Sequence, residues 1–231
     1  MTLLSKPYRA LVIGSSGTIG SAFMTLLQEN PGCSEVVGLS RQSTHPIDYH
    51  DLDSIEAAAN ALSSSTPFQL IINTIGVLHT SNWMPEKRLE DLNADQLSEL
   101  IKINAVGPAL TIKWFSKLLD PQNSVMATLS AKVGSIEDNR LGGWYSYRAS
   151  KAALNMLIKT AAIELARTKP NTALIALHPG TVNSNLSKPF RGEQIGRPPL
   201  DAASDMLKVL ESLSKEDSGS FISYSGERLP W

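Results

Sequence analysis

The chain has 231 residues, enough for one large domain or two small ones, and no low-complexity linker divides it. Its 21 Lys+Arg stand against 22 Asp+Glu, a formal net charge of -1, so no whole-chain field draws it to nucleic acid or an anionic membrane and neither partner is expected. A lone cysteine, Cys33, excludes an internal disulfide and has no His beside it; no metal is expected, the setting expected is a reducing, cytoplasmic one, and no apolar run reaches the length of a signal-peptide core or a membrane span.

Tyr8 to Ile13 is continuously apolar, the pattern of a strand buried on both faces, and it ends in Gly14-Ser15-Ser16-Gly17-Thr18-Ile19-Gly20. Ile19, Ala22, Phe23, Leu26 and Leu27 then recur at helical spacing until Asn30-Pro31-Gly32. Glycines between a strand and a helix let the backbone turn tightly and approach a pyrophosphate at the positive end of the helix; a turn made for packing alone is the other reading. Glu35 to Leu39 is the second strand. An NAD site usually offers a carboxylate at its end, whereas here stand Ser40 and Arg41, which favour NADP(H) over NAD(H). A short strand is expected around Pro46 to Tyr49, then Asp51-Leu52, a polar-apolar pair able to hold an adenine, and a helix from Ser54 to Leu62 capped by Asp53 or Ser54.

Phe68 to Asn73 is a further buried strand, closing in Asn73-Thr74-Ile75-Gly76, and the loop from Val77 to Glu90 carries Trp83 and Met84 as candidate pocket walls. Asn93 to Leu119 reads as one long helix with Asn104 inside its apolar pattern. A buried amide without partners costs roughly 1 to 3 kcal/mol, so Asn104 either bends the helix by local hydrogen bonding or holds a water. Asn123 to Ser130 is a strand; Ala131-Lys132-Val133-Gly134-Ser135-Ile136 and a polar loop lead to a helix from Trp144 to about Arg167, apolar nearly all round and so packed on the sheet and on a further partner such as a second subunit. Within it Tyr147 and Lys151 stand four apart, on one face. A phenol beside a fixed ammonium is a tuned acid, because the positive charge favours the phenolate. By itself that spacing also fits a solvated Lys beside a half-buried Tyr.

Thr172 to Leu177 is a strand, followed by His178-Pro179-Gly180-Thr181-Val182-Asn183-Ser184, a Pro- and Gly-rich flap from about 185 to 199, a helix from Leu200 to Leu213 and a last strand from Gly219 to Tyr224. The alternation predicts an α/β fold, a doubly wound parallel sheet with helices on both faces, in a single domain over residues 1–231.

With these motifs in order, GSSGTIG at 14–20, DL at 51–52, NTIG at 73–76, Asn104, YRASK at 147–151 and PGTV at 179–182, the chain resembles the short-chain dehydrogenase/reductase family over nearly its whole length. LSAKVGSI and GGWYSYRASKAALN make it most similar to the C-factor-like and sniffer-like carbonyl reductase branch. The resemblance implies a Rossmann domain, nicotinamide hydride transfer between a carbonyl and an alcohol, and a homodimer or homotetramer formed through the long helices. It implies Tyr147 as proton donor or acceptor, Lys151 on the nicotinamide ribose and lowering the Tyr pKa, and Asn104 fixing a water. Gly14, Ser16, Gly17, Thr18, Ile19 and Gly20 would line the pyrophosphate. Ser40, Arg41, Asp51, Leu52, Asn73, Thr74 and Gly76 would serve the adenosine half, and Pro179, Gly180, Val182 and Ser184 the nicotinamide amide and phosphates.

Two positions depart from the family pattern. The middle glycine is Gly17 with Thr18 after it, where single-domain members commonly have glycine at the later position. The serine that usually stands three residues before the loop glycine and meets the substrate oxygen is Ala131, leaving Ser130 or Ser135, a water or a flap residue as substitutes, or else a reduced activity. Adjacent strand residues point to opposite faces, which counts against Ser130. The expected activity is NADP(H)-dependent carbonyl–alcohol interconversion. The rival, motivated by Ala131, is a dinucleotide-binding sensor or scaffold without turnover. Trp83, Trp144 and Phe190 suggest an apolar small-molecule substrate, and Arg140, Arg191 or Arg197 an anionic one.

Overall fold

The computed structural model describes residues 2–4 and 7–231. Strands β1 (Tyr8–Ile13), β2 (Cys33–Leu39), β3 (Leu70–Asn73), β4 (Ser124–Leu129), β5 (Thr172–His178) and β6 (Phe221–Ser223) form one parallel sheet in the order β2-β1-β3-β4-β5-β6. The expected α/β architecture with helices on both faces is what the chain adopts. Alternate residues of each central strand feed two separate cores. Ala10 and Val12 pack with Val125, Ala127 and Ile175 under α1 (Thr18–Glu29) and α7 (Pro199–Ser212). Leu11 and Ile13 pack with Ile71, Met126 and Leu174 under α2 (Asp53–Ala61), α4 (Gly107–Phe115) and α5 (Tyr145–Thr168). Burial on both faces explains why these strands read as unbroken apolar runs.

The strand order reverses between β1 and β3, so the loops after them part at that point and leave a crevice at the carboxyl ends of the strands. The glycine turn fills the β1 side of it. Gly14 has φ +86, and a Cβ added at Gly20 would lie 2.1 Å from the Gly14 carbonyl oxygen, so α1 can start this close to the strand only without a side chain there.

Three local expectations are corrected. Pro46 to Tyr49 forms no strand: β2 is the sheet edge, and the segment folds into a turn with a single Asp48–Asp51 bridge, Ile47 N donating to the Ser40 carbonyl. Neither Asp53 nor Ser54 caps α2, whose first residue follows Leu52 without a side-chain cap; the Ser54 hydroxyl instead accepts from Asp48 N. The helix expected from Asn93 to Leu119 is broken into α3 (Ala94–Ile101), a π-helical turn over Lys102–Val106, and α4. Pro108 causes part of this, since it has no N–H to offer the carbonyl four residues back, that of Asn104. The stretch expected to be a flap contains a short 3₁₀ turn over Lys188–Phe190 and α6 (Gly192–Ile195), and its end starts α7 at Pro199.

Replacing Gly20 by Ala should lower the unfolding free energy by about 1 to 3 kcal/mol or more, because backbone and not a flexible side chain must give way. Gly17→Ala, whose added Cβ would meet the same carbonyl at 3.3 Å, should cost less. Urea unfolding of the two variants checks the order.

Candidate active site

Loops after β1, β3, β4 and β5 surround a cleft of about 680 Å³. Of the residues expected there, Ser16, Gly17, Thr18, Ile19, Gly20, Thr74, Gly76, Ser130, Tyr147, Lys151, Pro179, Gly180, Val182 and Ser184 line it. Gly14, Ser40, Arg41, Asp51, Leu52, Asn73 and Asn104 do not. Gly14 and Asn73 lie beneath: Gly14 N donates to the Leu39 carbonyl, and Asn73 Nδ2 donates to the Tyr49 hydroxyl at 2.8 Å. Asp51 borders a separate hollow of about 340 Å³ with His45 and Asp53, and Leu52 packs partly buried against the α2 side of the core. Arg41 is exposed beyond the end of β2, with no ion-pair partner among the described residues, while Ser40 Oγ is bonded to Gln42.

The first turn of α1 faces this cleft with its donors unmet. Gly17 caps the helix with no side chain, and the first turn has no acidic residue, so the amides of Thr18, Ile19 and Gly20 present an uncompensated positive end. Across the cleft, α5 carries Tyr147 and Lys151. Lys151 is only 4% exposed, and its Nζ donates to the Leu129 carbonyl at 3.0 Å and lies 6.0 Å from the Tyr147 ring centre. A Cβ added at Gly76 would come within 3.2 Å of Nζ and 3.3 Å of Asn104 Oδ1, so the glycine keeps the space over the ammonium open.

The electrostatics differ from the expectation that Lys151 lowers the Tyr147 pKa. Burial raises the Tyr147 phenol above its ordinary value, and burial also pulls Lys151 from 10.5 to about 8. Both groups are pushed toward their neutral forms, because each loses hydration and neither meets an opposite charge.

Asn104 is buried with its amide filled: Oδ1 accepts from Val77 N at 2.8 Å, and Nδ2 donates to the Val77 carbonyl at 2.7 Å and to Ser150 Oγ at 3.0 Å. Ser150 Oγ in turn donates to the Tyr147 carbonyl. The helix does bend at Asn104, but its side chain bonds to segments distant in sequence and not locally. The side chain clamps the loop after β3 to the turn of α5 that carries Tyr147 and Lys151 and has no free donor for a water.

The displaced hydroxyl is not recovered from a neighbouring serine. Ser130 borders the cleft, but its hydroxyl donates to Asn155 Oδ1 at 2.6 Å. Ser135 lies off the cleft, its hydroxyl donating to the Trp231 carbonyl. The expected pocket walls also shift. Trp83 and Met84 stand away because the loop closes on itself through Thr80 and Trp83; Trp144, Phe190 and Leu78 form the apolar side instead, with Trp144 and Phe190 ring centres 5.0 Å apart. Arg140 bonds carbonyls of its own loop, Arg191 is exposed, and Arg197 pairs with Asp205 and stacks on Tyr224. Polar side chains that reach the cleft without having been expected there include Lys132, His178, Thr181 and Asn185.

Two residues that position α5 carried no signal in the sequence reading. Glu86 is only 2% exposed; its carboxylate accepts from Ser146 N and Oγ, and its carbonyl accepts from Trp144 N, so a negative charge sits at the helix start and holds Trp144 in a left-handed conformation. Arg148 donates to the carbonyls of Val133, Gly142 and Gly143, tying the loop after β4 to the helix. The Gly142-Gly143 pair ahead of Trp144 is the available clue for the first, since an aromatic residue following two glycines with positive φ needs an external anchor.

Residues 33–194 match the family described as short chain dehydrogenase. The chain belongs to the short-chain dehydrogenase/reductase family. This short-chain dehydrogenase/reductase is 34% identical over 186 residues to a 1-hydroxy-2-glutathionyl-2-methyl-3-butene dehydrogenase of Rhodococcus sp. (strain AD45), covering 80% of this chain and 78% of that one. It is 32% identical over 166 residues to the C-signal protein of Myxococcus xanthus, covering 71% of this chain and 93% of that one, in line with the C-factor-like resemblance. Its fold superposes on the NADPH-bound carbonyl reductase from chicken fatty liver with a TM-score of 0.82 and 25% identity, over 98% of this chain and all of that one. Among the described residues no cluster of His, Cys, Asp and Glu could hold a metal, and no helix is long and apolar enough to cross a membrane.

For this family member the buried lysine predicts a pH signature. Between about 8 and 10.5 the unfolded chain holds more protons on Lys151 than the folded one, so stability rises with pH across that window. Relative to Lys151→Met, the wild type should gain about 2 kcal/mol between pH 7.5 and 9.5, read by urea unfolding at both pH values.

Proposed function

We propose that the chain interconverts a carbonyl and an alcohol with NADP(H), with Tyr147 as general acid and base. The observation that carries this is the pairing, across one cleft, of an uncapped α1 N-terminus with the buried Tyr147 and Lys151 of α5. The residues present fit a dinucleotide: unmet amides suit a pyrophosphate, and the open space at Gly76 lets a ribose approach Lys151 Nζ. When bound, the nicotinamide supplies the hydride. Arg41, without an ion pair among the described residues, and the lack of a carboxylate at the end of β2 favour the 2′-phosphorylated form over NAD(H).

The chain's own part is positioning and proton transfer. Burial keeps Tyr147 protonated at neutral pH, the form needed to donate to a carbonyl oxygen as it is reduced. Lys151, held on Leu129, stands where its ammonium stabilises the phenolate left behind. Asn104 contributes through its backbone: with Pro108 unable to donate, its carbonyl is the acceptor for a water feeding the proton path. Trp144, Phe190 and Leu78 exclude water on the substrate side, which suits an apolar small molecule. The exposed Met156, Leu157 and Ile163 on α5 offer a surface for a second copy of the chain; light scattering should give the mass of two or four chains.

Ala131 supports a second reading, a cofactor-binding protein without turnover, because neither neighbouring serine replaces the hydroxyl. One experiment separates the two. A panel of ketones, aldehydes and quinones should consume NADPH with the wild type, and Tyr147→Phe should lower kcat by about 10² to 10⁴-fold. Arg41→Ala should weaken NADPH binding roughly tenfold and leave NADH nearly unchanged. No consumption across the panel, or full turnover by the Phe variant, sinks the enzymatic assignment.

A further inference from the structure

Beside the Tyr147 hydroxyl, the position that the family pattern gives to a serine is taken by Ala131 and offers no second hydroxyl. Ala131 has none, and the protons of Ser130 and Ser135 are directed to Asn155 and Trp231. The flap serines are also occupied, Ser187 Oγ donating to the Val182 carbonyl at 2.5 Å and pairing with Ser184. Lys132 reaches the cleft but is half exposed, with its ammonium 3.6 Å from Asp138.

His178 remains. It ends β5 beside Ala131: Leu177 pairs with Leu129 across the ladder, and Ser130 N donates to the Leu177 carbonyl at 2.8 Å. Its ring lies against the loop that replaced the serine, because Lys132 N donates to His178 Nδ1 at 3.3 Å. An imidazole that accepts at Nδ1 while neutral carries its hydrogen on Nε2. Burial, with a smaller contribution from Lys132, pulls His178 down to about 4, so the ring is neutral at physiological pH. Nε2 has no acceptor among the described residues and is not sealed off, and the residue borders the same cleft as Tyr147.

We propose that the Nε2–H of His178 donates to the substrate oxygen in place of the hydroxyl missing at Ala131, making His178 a catalytic residue beside Tyr147. The inference rests on the carbonyl–alcohol reading above. It requires no proton to leave the imidazole: the ring stays neutral and stabilises charge on the oxygen while Tyr147 transfers the proton.

The test uses two amides. Asn at 178 keeps an acceptor near Nδ1 for Lys132 N but has nothing at Nε2, whereas Gln extends its amide to the Nε2 position. His178→Asn should lower kcat by about 10² to 10³-fold with NADPH affinity, read by cofactor fluorescence, unchanged. His178→Gln should stay within about tenfold of wild type, and Ala131→Ser added to His178→Asn should restore at least about tenfold. The proposal is overturned if His178→Asn keeps kcat within about threefold, if NADPH binding falls in parallel, or if the serine restores nothing. Should the Asn variant not fold, a Gln variant with intact NADPH binding and kcat down by about 10²-fold or more overturns it equally. Tyr147→Phe in the wild-type background tells the two claims apart: turnover without the phenol defeats the carbonyl–alcohol reading, whereas a Tyr147-dependent enzyme indifferent to position 178 defeats only this inference.

Discussion

Asn104 joins three parts of the molecule from the inside. Its amide closes a two-bond ring with the Val77 backbone and reaches Ser150 on α5, so the loop leaving β3, the bent α3–α4 segment and the turn bearing Tyr147 and Lys151 are held as one unit. Pro108, which cannot donate to the Asn104 carbonyl four residues back, contributes to the bend that aims the amide, and the chain takes a π turn there. A fully buried amide with every polar atom met is stable; losing any one partner leaves an unsatisfied group worth roughly 1 to 3 kcal/mol. The clamp is therefore all-or-none, which suits a site whose groups must be placed within fractions of an ångström.

Burial sets the charge state of the cleft. Lys151 is lowered, Tyr147 raised and His178 lowered, all for want of hydration. Besides the Lys151 ammonium, which at about 8 is still mostly protonated at neutral pH, the fixed features are dipolar: the bare start of α1 on one side and the start of α5, compensated by the Glu86 carboxylate, on the other. One helix end is neutralised internally and the other is left for a ligand. That asymmetry, more than any single side chain, marks where an anion belongs.

The strands and most helices were legible because burial on both faces writes continuous apolar runs for strands and a 3.6-residue stripe for helices. The errors fell where local pattern and long-range partners compete. Asn93 to Leu119 has an unbroken helical stripe, yet Pro108 and the Val77 backbone break it. Pro46 to Tyr49 has strand character but lies beyond the sheet edge with no neighbour to pair. The motif residues Tyr147, Lys151 and the glycines were placed by their resemblance to the family pattern, whereas Trp83 and the arginines were assigned to the pocket by residue type alone, and type says nothing about direction.

Composition and order alone settled a doubly wound sheet, a glycine turn opening α1, and Tyr147 four residues before Lys151, because each depends on neighbours near in sequence. The tertiary structure decided the rest: that Ser130 turns to Asn155, that Glu86 anchors α5 from a loop sixty residues away, and that His178 stands beside the serine-free loop. Those contacts join segments whose separation along the chain carries no periodic signal, and only packing of the strands side by side brings them within a hydrogen bond.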